Sequence, residues 1–440
     1  MMRILLVCES IAPVQTIGAI RWTKIAKYLK KNHGKEVVID VLTNKKNYYD
    51  YNSQIFLMKD KLLEEDMQYF DHYFEVPVAD TVLRLVKCYK KTMLGKNKSF
   101  ISAEDKMNHT FKGYVKSRIS TLYQTYYSWT THKTLLRAIR SKANEYDVVI
   151  SSYPSIWPFM VCYKLKSENK RLKWICDFRD ICGRDNLDMV KYGYGHASYV
   201  QKHSALADAV LHVDDFINTH TDVGVKDYTV TNGYDPEDRA VPKNPSWFNL
   251  IYTGSLFGNQ QDFSVVYQVL NELILEGKID KQKVRVLYAG RAGRLAQIMA
   301  DSHGATEYFT NLNEIPRYKV LELQRNAAIL IQAAFNVKGD NCAWTGKMYE
   351  YMMSGKPIVY VVNGDIPYSF PSKYMGRLGG VCYEASRPKE TYPVLKEYIY
   401  SKYREWKETG DISVAQDNDY VGKYSYKVIA EQVWEILNSL

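Results

Sequence analysis

The run Thr345-Gly346-Lys347-Met348-Tyr349-Glu350-Tyr351-Met352-Met353-Ser354-Gly355-Lys356-Pro357 carries the residue types that hold a phosphorylated ligand. Thr345 and Gly346 open a predicted helix, whose first amide N–H groups have no intrahelical acceptor and whose positive end favours an anion. Lys347 adds a cation at that end. Glu350 falls on the same face as Gly346 and Lys347 by the i+3 and i+4 spacing, one turn in. A carboxylate so placed can accept both hydroxyls of a ribose. Gly355 caps the helix and Pro357 blocks its continuation. The competing reading is an ordinary capped amphipathic helix.

Three weaker groups follow other strand ends. Gly254-Ser255-Leu256-Phe257-Gly258 and Gly290-Arg291-Ala292-Gly293-Arg294 are glycine-bearing loops, and Arg291 and Arg294 are candidate phosphate contacts. Simple loop chemistry is the alternative. The loop around Gly18 and Arg21 follows the first strand and precedes a helix; a glycine there lets amides approach an anion, or serves a plain turn. With a single glycine it departs from the dinucleotide G-x-G-x-x-G pattern, which disfavours NAD. Asp177-Phe178-Arg179-Asp180 places a guanidinium between two carboxylates, suited to neutralising a phosphate and orienting a sugar hydroxyl, or else to an internal ion pair. Asp177, Arg179, Asp180 and Lys347 are the candidate catalytic groups. Gly18, Arg21, Gly254, Ser255, Gly290, Arg291, Thr345, Gly346, Lys347 and Glu350 are the candidate donor-binding groups.

The elements that must position these residues alternate along the chain. Ile4–Cys8 is a wholly apolar run, as expected of a strand buried on both faces of a parallel sheet. Trp22, Ile25, Ala26 and Leu29 recur at helical spacing, with Lys24, Lys27, Lys30 and Lys31 expected on the opposite side. Val37–Leu42 then completes a β-α-β unit. Residues 45–140 are polar and tyrosine-rich, and are expected to hold helices and an acceptor-facing insertion. Strands resume at Asp147–Ile150, Trp174–Cys176, Ala209–Val213 and Tyr228–Val230. After the linker Pro236–Pro245, a second series runs through strands at 248–252, 284–288, 327–332 and 357–362, with helices at 261–276 and 346–354. A last amphipathic helix covers 425–439, with Ile429, Val433, Ile436 and Leu440 on one face. The pattern predicts two doubly wound, Rossmann-like α/β domains, 1–240 and 246–415, followed by the helix 420–440. Ligands in such sheets lie beyond the carboxyl ends of the strands, where the groups above all fall.

Bulk composition narrows the function classes. At 440 residues, the chain is long enough for two cores. No apolar run reaches the length of a spanning helix, and the N-terminus passes straight into a strand without a signal-peptide pattern, so a cytosolic protein is expected. The net charge is +10, and residues 84–118 hold ten Lys and Arg against Glu104 and Asp105. Leu85, Val86 and Met93 interleave with that stretch. This favours peripheral contact with a lipid surface over nucleic acid, and a solvated basic face is the alternative. The seven cysteines have no zinc spacing and read as buried reduced thiols. The histidines form no ligand motif, and Asp417-Asn418-Asp419 lies away from the core strands, so no metal is expected.

Taken in order, the Gly18…Arg21 loop, Asp177-Phe178-Arg179-Asp180, Thr231-Asn232-Gly233-Tyr234-Asp235, Tyr252-Thr253-Gly254-Ser255 and Lys347…Glu350-Tyr351…Ser354-Gly355-Lys356-Pro357-Ile358 resemble the motifs of family-4 glycosyltransferases. The likeness spans most of the chain and thins between 45 and 140. It implies the GT-B architecture, with a cleft between the domains and a final helix crossing back to the first. It also implies a nucleotide diphosphate sugar as donor, held mainly by the second domain. Transfer would retain anomeric configuration, usually without a metal, and Glu350 would match the glutamate that binds the donor ribose. The setting implied is bacterial surface-polysaccharide assembly, with a lipid-linked or oligosaccharide acceptor. Two departures stand out. Cys342 occupies the place of a glutamate that often touches the donor sugar. Residues 255–261 lack the Arg and Lys often found there, for which Lys347 and Arg291 would compensate. Two other readings remain on the same fold: a nucleotide-sugar 2-epimerase, and a non-catalytic partner subunit.

Overall fold

The computed structural model describes residues 1–45, 58–78, 111–179, 200, 202–214, 224–238, 245–256, 258–338, 344–410, 412 and 414–440, with backbone only at 111–124 and 258–259. The chain forms two compact units, Met1–Thr231 with Ile429–Leu440, and Asn232–Val428.

In the first unit, β1 (Met2–Val7), α1 (Ile17–His33), β2 (Val37–Asn44), α2 (Lys61–Asp66), β3 (His72–Val76), α3 (Phe111–Ile139), β4 (Val148–Ser152), α4 (Ile156–Glu168), β5 (Lys173–Phe178), β6 (Ala209–His212) and β7 (Asp227–Thr229) follow in order. The strands make one sheet, ordered β3-β2-β1-β4-β5-β6-β7, and every pairing is parallel. Ile4 to Val7 and all five residues of β4 are buried, as double-sided coverage by helices requires. Trp157, Phe159, Trp174 and Phe178 pack together beneath β4 and β5.

The sequence expectation fails on one side of α1. Lys24 and Lys27 are buried, and their ammonium groups pair with Asp66 of α2 at 2.6 and 3.2 Å. The lysine face meets an acidic helix rather than water, because a buried ammonium is tolerated only beside an opposite charge. Part of the tyrosine-rich region likewise belongs to the core layers: β3 is the edge strand of the sheet, and α3 contributes Leu135, Leu136 and Ile139 to the core. Residues 84–110 of the basic stretch lie outside the described residues, and 111–118 are the backbone of α3.

In the second unit, the order is β8 (Phe248–Thr253), α5 (Ser264–Leu275), β9 (Val284–Ala289), α6 (Gly293–Ser302), β10 (Phe309–Asn311), α7 (Arg317–Arg325), β11 (Ile329–Phe335), α8 (Gly346–Ser354), β12 (Ile358–Asn363), β13 (Val381–Glu384) and α9 (Pro388–Thr409). Its sheet is also parallel, ordered β10-β9-β8-β11-β12-β13. The direction of winding reverses between β8 and β11, and a doubly wound sheet opens its crevice at that switch point. The cores lie on either face: one around Phe248, Tyr267, Val286 and Ile399, the other around Ile251, Met348, Met352 and Tyr360.

The last helix, α10 (Tyr426–Asn438), brings Ile429–Leu440 into the first unit. Trp434 stacks on His33 with ring centroids 4.4 Å apart, Glu431 takes hydrogen bonds from Asn32 and the His33 imidazole, and Gln432 donates to the Thr229 carbonyl. Asp417 caps a short helix through the Tyr420 amide and pairs with Arg377, a structural use of that acidic pair. Among the described residues no helix is long and apolar enough to cross a membrane. Cys8, Cys162 and Cys176 are buried free thiols; Cys88, Cys182 and Cys342 lie outside the described residues.

Candidate functional site

In the first unit, the loop after β1 and the end of β5 meet. Arg21 and Asp177 are wholly buried and paired, with Arg21 Nε and Nη2 at 3.1 and 2.9 Å from Asp177 Oδ1. The second oxygen of Asp177 accepts from Trp22 Nε1 at 2.7 Å and Ser152 Oγ at 2.8 Å, and Arg21 Nη1 donates to the Thr231 carbonyl at 2.7 Å. Four donors thus enclose the carboxylate, and the pair locks α1 to β4 and β5. Arg179 lies beside it, donating Nε to Ser152 Oγ at 2.8 Å. Its guanidinium fills the space where a side chain on Gly18 would stand, so glycine is needed here for room. The start of α1 is already capped: Thr16 Oγ1 accepts the Ala19 amide at 3.2 Å. Asp180 lies outside the described residues.

The second unit presents a different helix start. α8 follows β11 and begins beside the end of β8, at the switch point of the sheet. Tyr351 fixes its angle. The tyrosine hydroxyl accepts the Thr253 amide at 3.0 Å and donates to the Ile331 carbonyl at 3.1 Å, so one side chain ties α8 to both strands. Gly355, with φ of 67°, ends the helix in the left-handed conformation. At the other end Thr345 makes no side-chain cap, and its Oγ1 has no partner among the described residues. The amides of Gly346 and Lys347 are likewise left for an outside acceptor, since the first bond of the turn is Met348 N to Thr345 O.

Lys347 reaches back over the loop after β8. Its Nζ donates to Tyr252 Oη at 2.9 Å and to the Ser255 carbonyl at 3.3 Å, and sits 4.4 Å from the centre of the Tyr252 ring. Gly254, with φ of 103°, makes that course possible, because a Cβ there would come within 2.9 Å of Lys347 Cε. No carboxylate lies within ion-pair distance of the ammonium among the described residues. Burial pushes its pKa down to about 7, opposed by the charge of Glu350. Among the described residues, then, Lys347 has no ion-pair partner, and its own amide and that of Gly346 have no acceptor.

Glu350 is held from below. Its Oε1 accepts Arg317 Nε at 2.9 Å and its Oε2 accepts Gln324 Nε2 at 3.2 Å. Arg317 is also bonded through Nη1 to buried Asp238 at 2.9 Å. Neither Arg317 nor Gln324 is legible as a site residue in the sequence. Pro316 signals a helix start, but nothing local points to a partner 33 positions away. The remaining candidates are placed nearby or apart. Gly290 follows β9 with its amide bonded to the Asn313 carbonyl, and a Cβ on it would collide with the Gly254 carbonyl. Arg291 is exposed and pairs with Glu314 at 2.7 Å, and Arg294 is exposed on α6.

Two open parallel sheets with these strand orders define the GT-B class of fold. Solved structures of that class match the whole chain at low identity. A sucrose-phosphate synthase from Thermosynechococcus elongatus matches with a TM-score of 0.60 and 9% identity, covering 100% of this chain and 99% of its own. The lipopolysaccharide outer core galactosyltransferase WaaB, in its apo form, gives 0.56 and 11%, covering 100% of both chains. TarM from S. aureus, in complex with Fondaparinux, alpha-GlcNAc-glycerol and UDP, gives 0.57 and 10%, again over 100% of both. No protein-family model matches the sequence, and no curated protein does.

Proposed function

We propose that the chain is a glycosyltransferase that takes a sugar from a nucleoside diphosphate sugar and passes it to a saccharide acceptor. The observation that carries this reading is Lys347, without an ion-pair partner among the described residues, at the uncapped start of α8 and at the switch point of a GT-B sheet. An anion at a helix N-terminus gains about 0.3–1 kcal/mol, and up to about 2 kcal/mol when partly buried, before the lysine is counted. A diphosphate supplies that charge, and Glu350, one turn further along the same face, is placed for the ribose. UDP in the TarM complex is of the same chemical class.

In the transfer step the bond from the anomeric carbon to the diphosphate oxygen breaks, and its electron pair stays on the diphosphate. Lys347 and the amides of Gly346 and Lys347 stabilise that developing charge, which is where a fixed donor set lowers a barrier. The acceptor hydroxyl bonds to the anomeric carbon, and its proton goes to the leaving phosphate. Asp177 is not assigned as the base, since four donors already enclose it. Retention, metal independence and a lipid-linked acceptor in surface-polysaccharide assembly belong to the proposal on the family-4 resemblance, and peripheral membrane contact belongs to it on the basic and apolar residues of 84–118. Melting temperatures are measured with UDP, GDP, ADP, CDP and dTDP, followed by release of the diphosphate from the matching nucleotide sugar with and without oligosaccharide acceptors. The expected result is a rise in melting temperature with one nucleotide and acceptor-dependent release. No rise with any of them overturns the reading.

A further inference from the structure

We propose that Arg317 and Gln324 are positioning residues that aim the Glu350 carboxylate at the two ribose hydroxyls of a nucleoside diphosphate, and so make the site selective for ribo- over deoxyribonucleotides. The inference rests on the donor-site reading above. An ionised carboxylate has about four lone-pair positions, two on each oxygen. Arg317 Nε occupies one position on Oε1 and Gln324 Nε2 one on Oε2. At least one position on each oxygen is left, and a vicinal diol has two hydroxyls to offer them.

The two donors are themselves fixed. Arg317 is nearly buried and is shared with Asp238, so one guanidinium serves two carboxylates and is itself held at both ends. Gln324 is buried, and its Nε2 also bonds Thr253 Oγ1 at 3.1 Å, at the end of β8. Its amide orientation follows from Glu350, which can only accept. α7 therefore carries both supports, at its first and eighth residues and so two turns apart on one face, and Gln324 ties it to the end of the strand that leads into Gly254. A carboxylate held at both oxygens loses little rotamer freedom on binding, and that ordering cost is otherwise taken from affinity.

The test is calorimetric titration of the full chain with UDP, GDP, ADP and CDP, each against its 2′-deoxy counterpart, and with dTDP. The wild-type protein is expected to bind one ribonucleotide at least about tenfold more tightly than its deoxy form, the value of one hydrogen bond to a charged acceptor. Arg317→Met and Gln324→Leu are each expected to cut that ratio below about threefold, while unmodified phosphate contacts keep both nucleotides binding. Gln324→Leu leaves the Asp238–Arg317 pair in place, so it reports even if Arg317→Met does not fold. In a Glu350→Ala background, Gln324→Leu is expected to change UDP affinity less than about twofold, because the group it positions is gone. A wild-type ratio near one, or a ratio preserved in the folded variants, overturns the inference and leaves the donor site standing. Binding of dTDP alone overturns the inference; absence of binding by all of these diphosphates overturns both.

Discussion

The Lys347 ammonium gives the donor site a pH dependence whose direction follows from its surroundings. Burial lowers its pKa from 10.5 to about 7 in the free protein. A bound diphosphate adds negative charge and raises it again, so binding takes up a proton wherever the free lysine is neutral. With a free-state value of 7, roughly 90% of the lysine is charged at pH 6 and roughly 10% at pH 8. Affinity is therefore expected to fall about tenfold over that interval, or ~1.4 kcal/mol. A nucleotide sugar is the right titrant, since its diphosphate diester keeps a constant charge across the range, unlike a free nucleoside diphosphate. Titration calorimetry from pH 6 to 8.5, in buffers of different ionisation enthalpy, reads both the affinity and the proton uptake. Lys347→Arg keeps its charge at every pH and is expected to flatten the profile; Lys347→Met is expected to flatten it at the weak-binding end. Stability moves the opposite way to affinity. The unfolded lysine binds its proton up to about pH 10.5 and the folded one only to about 7, so this group makes the second unit more stable as pH rises between those values. A wild-type affinity constant across the range, or the same slope in Lys347→Met, would refute the assignment of this lysine to the phosphate.

Two further outcomes follow from the packing. Asp177→Asn leaves the buried Arg21 without its counterion and is expected to cost the first unit about 3–5 kcal/mol, read as an earlier midpoint in urea unfolding. Gly290→Ala sets a methyl group against the Gly254 carbonyl and within 2.6 Å of Tyr288 Oη. Because the first neighbour is backbone, the loops after β8 and β9 must part, and a loss of about 1–3 kcal/mol in the second unit is expected by thermal unfolding.

Much of the fold was legible because buried parallel strands are written as unbroken apolar runs. Ile4–Cys8, Val37–Leu42 and Phe248–Tyr252 each lie within two residues of an observed strand. The strands that escaped notice are those whose sequence mixes polar and apolar residues at a sheet edge. β3 exposes His72 and Glu75, and β10 has three residues. The lysines of α1 misled for a different reason: charge signals solvent only when no opposite charge folds against it, and Asp66 does. The start of α8 was readable because helix-end chemistry is local, with Thr345, Gly346, Gly355 and Pro357 all within one short segment. Its supports were not. Arg317, Gln324 and Asp238 reach Glu350 through tertiary contacts that no spacing rule encodes, and the course of Lys347 across Gly254 depends on β8 and β11, neighbours in the sheet but far apart in the sequence.

The division of the chain has a bearing on how the protein is made. The second unit is one uninterrupted stretch, Asn232–Val428, set inside the first, which is finished by Ile429–Leu440. During translation the first sheet emerges early yet waits for Ile429–Leu440, while the second can close as soon as it has left the ribosome. Until Trp434 arrives at His33, the nascent first unit carries an unsealed flank, and a chain stopped before α10 would suffer in the unit made first.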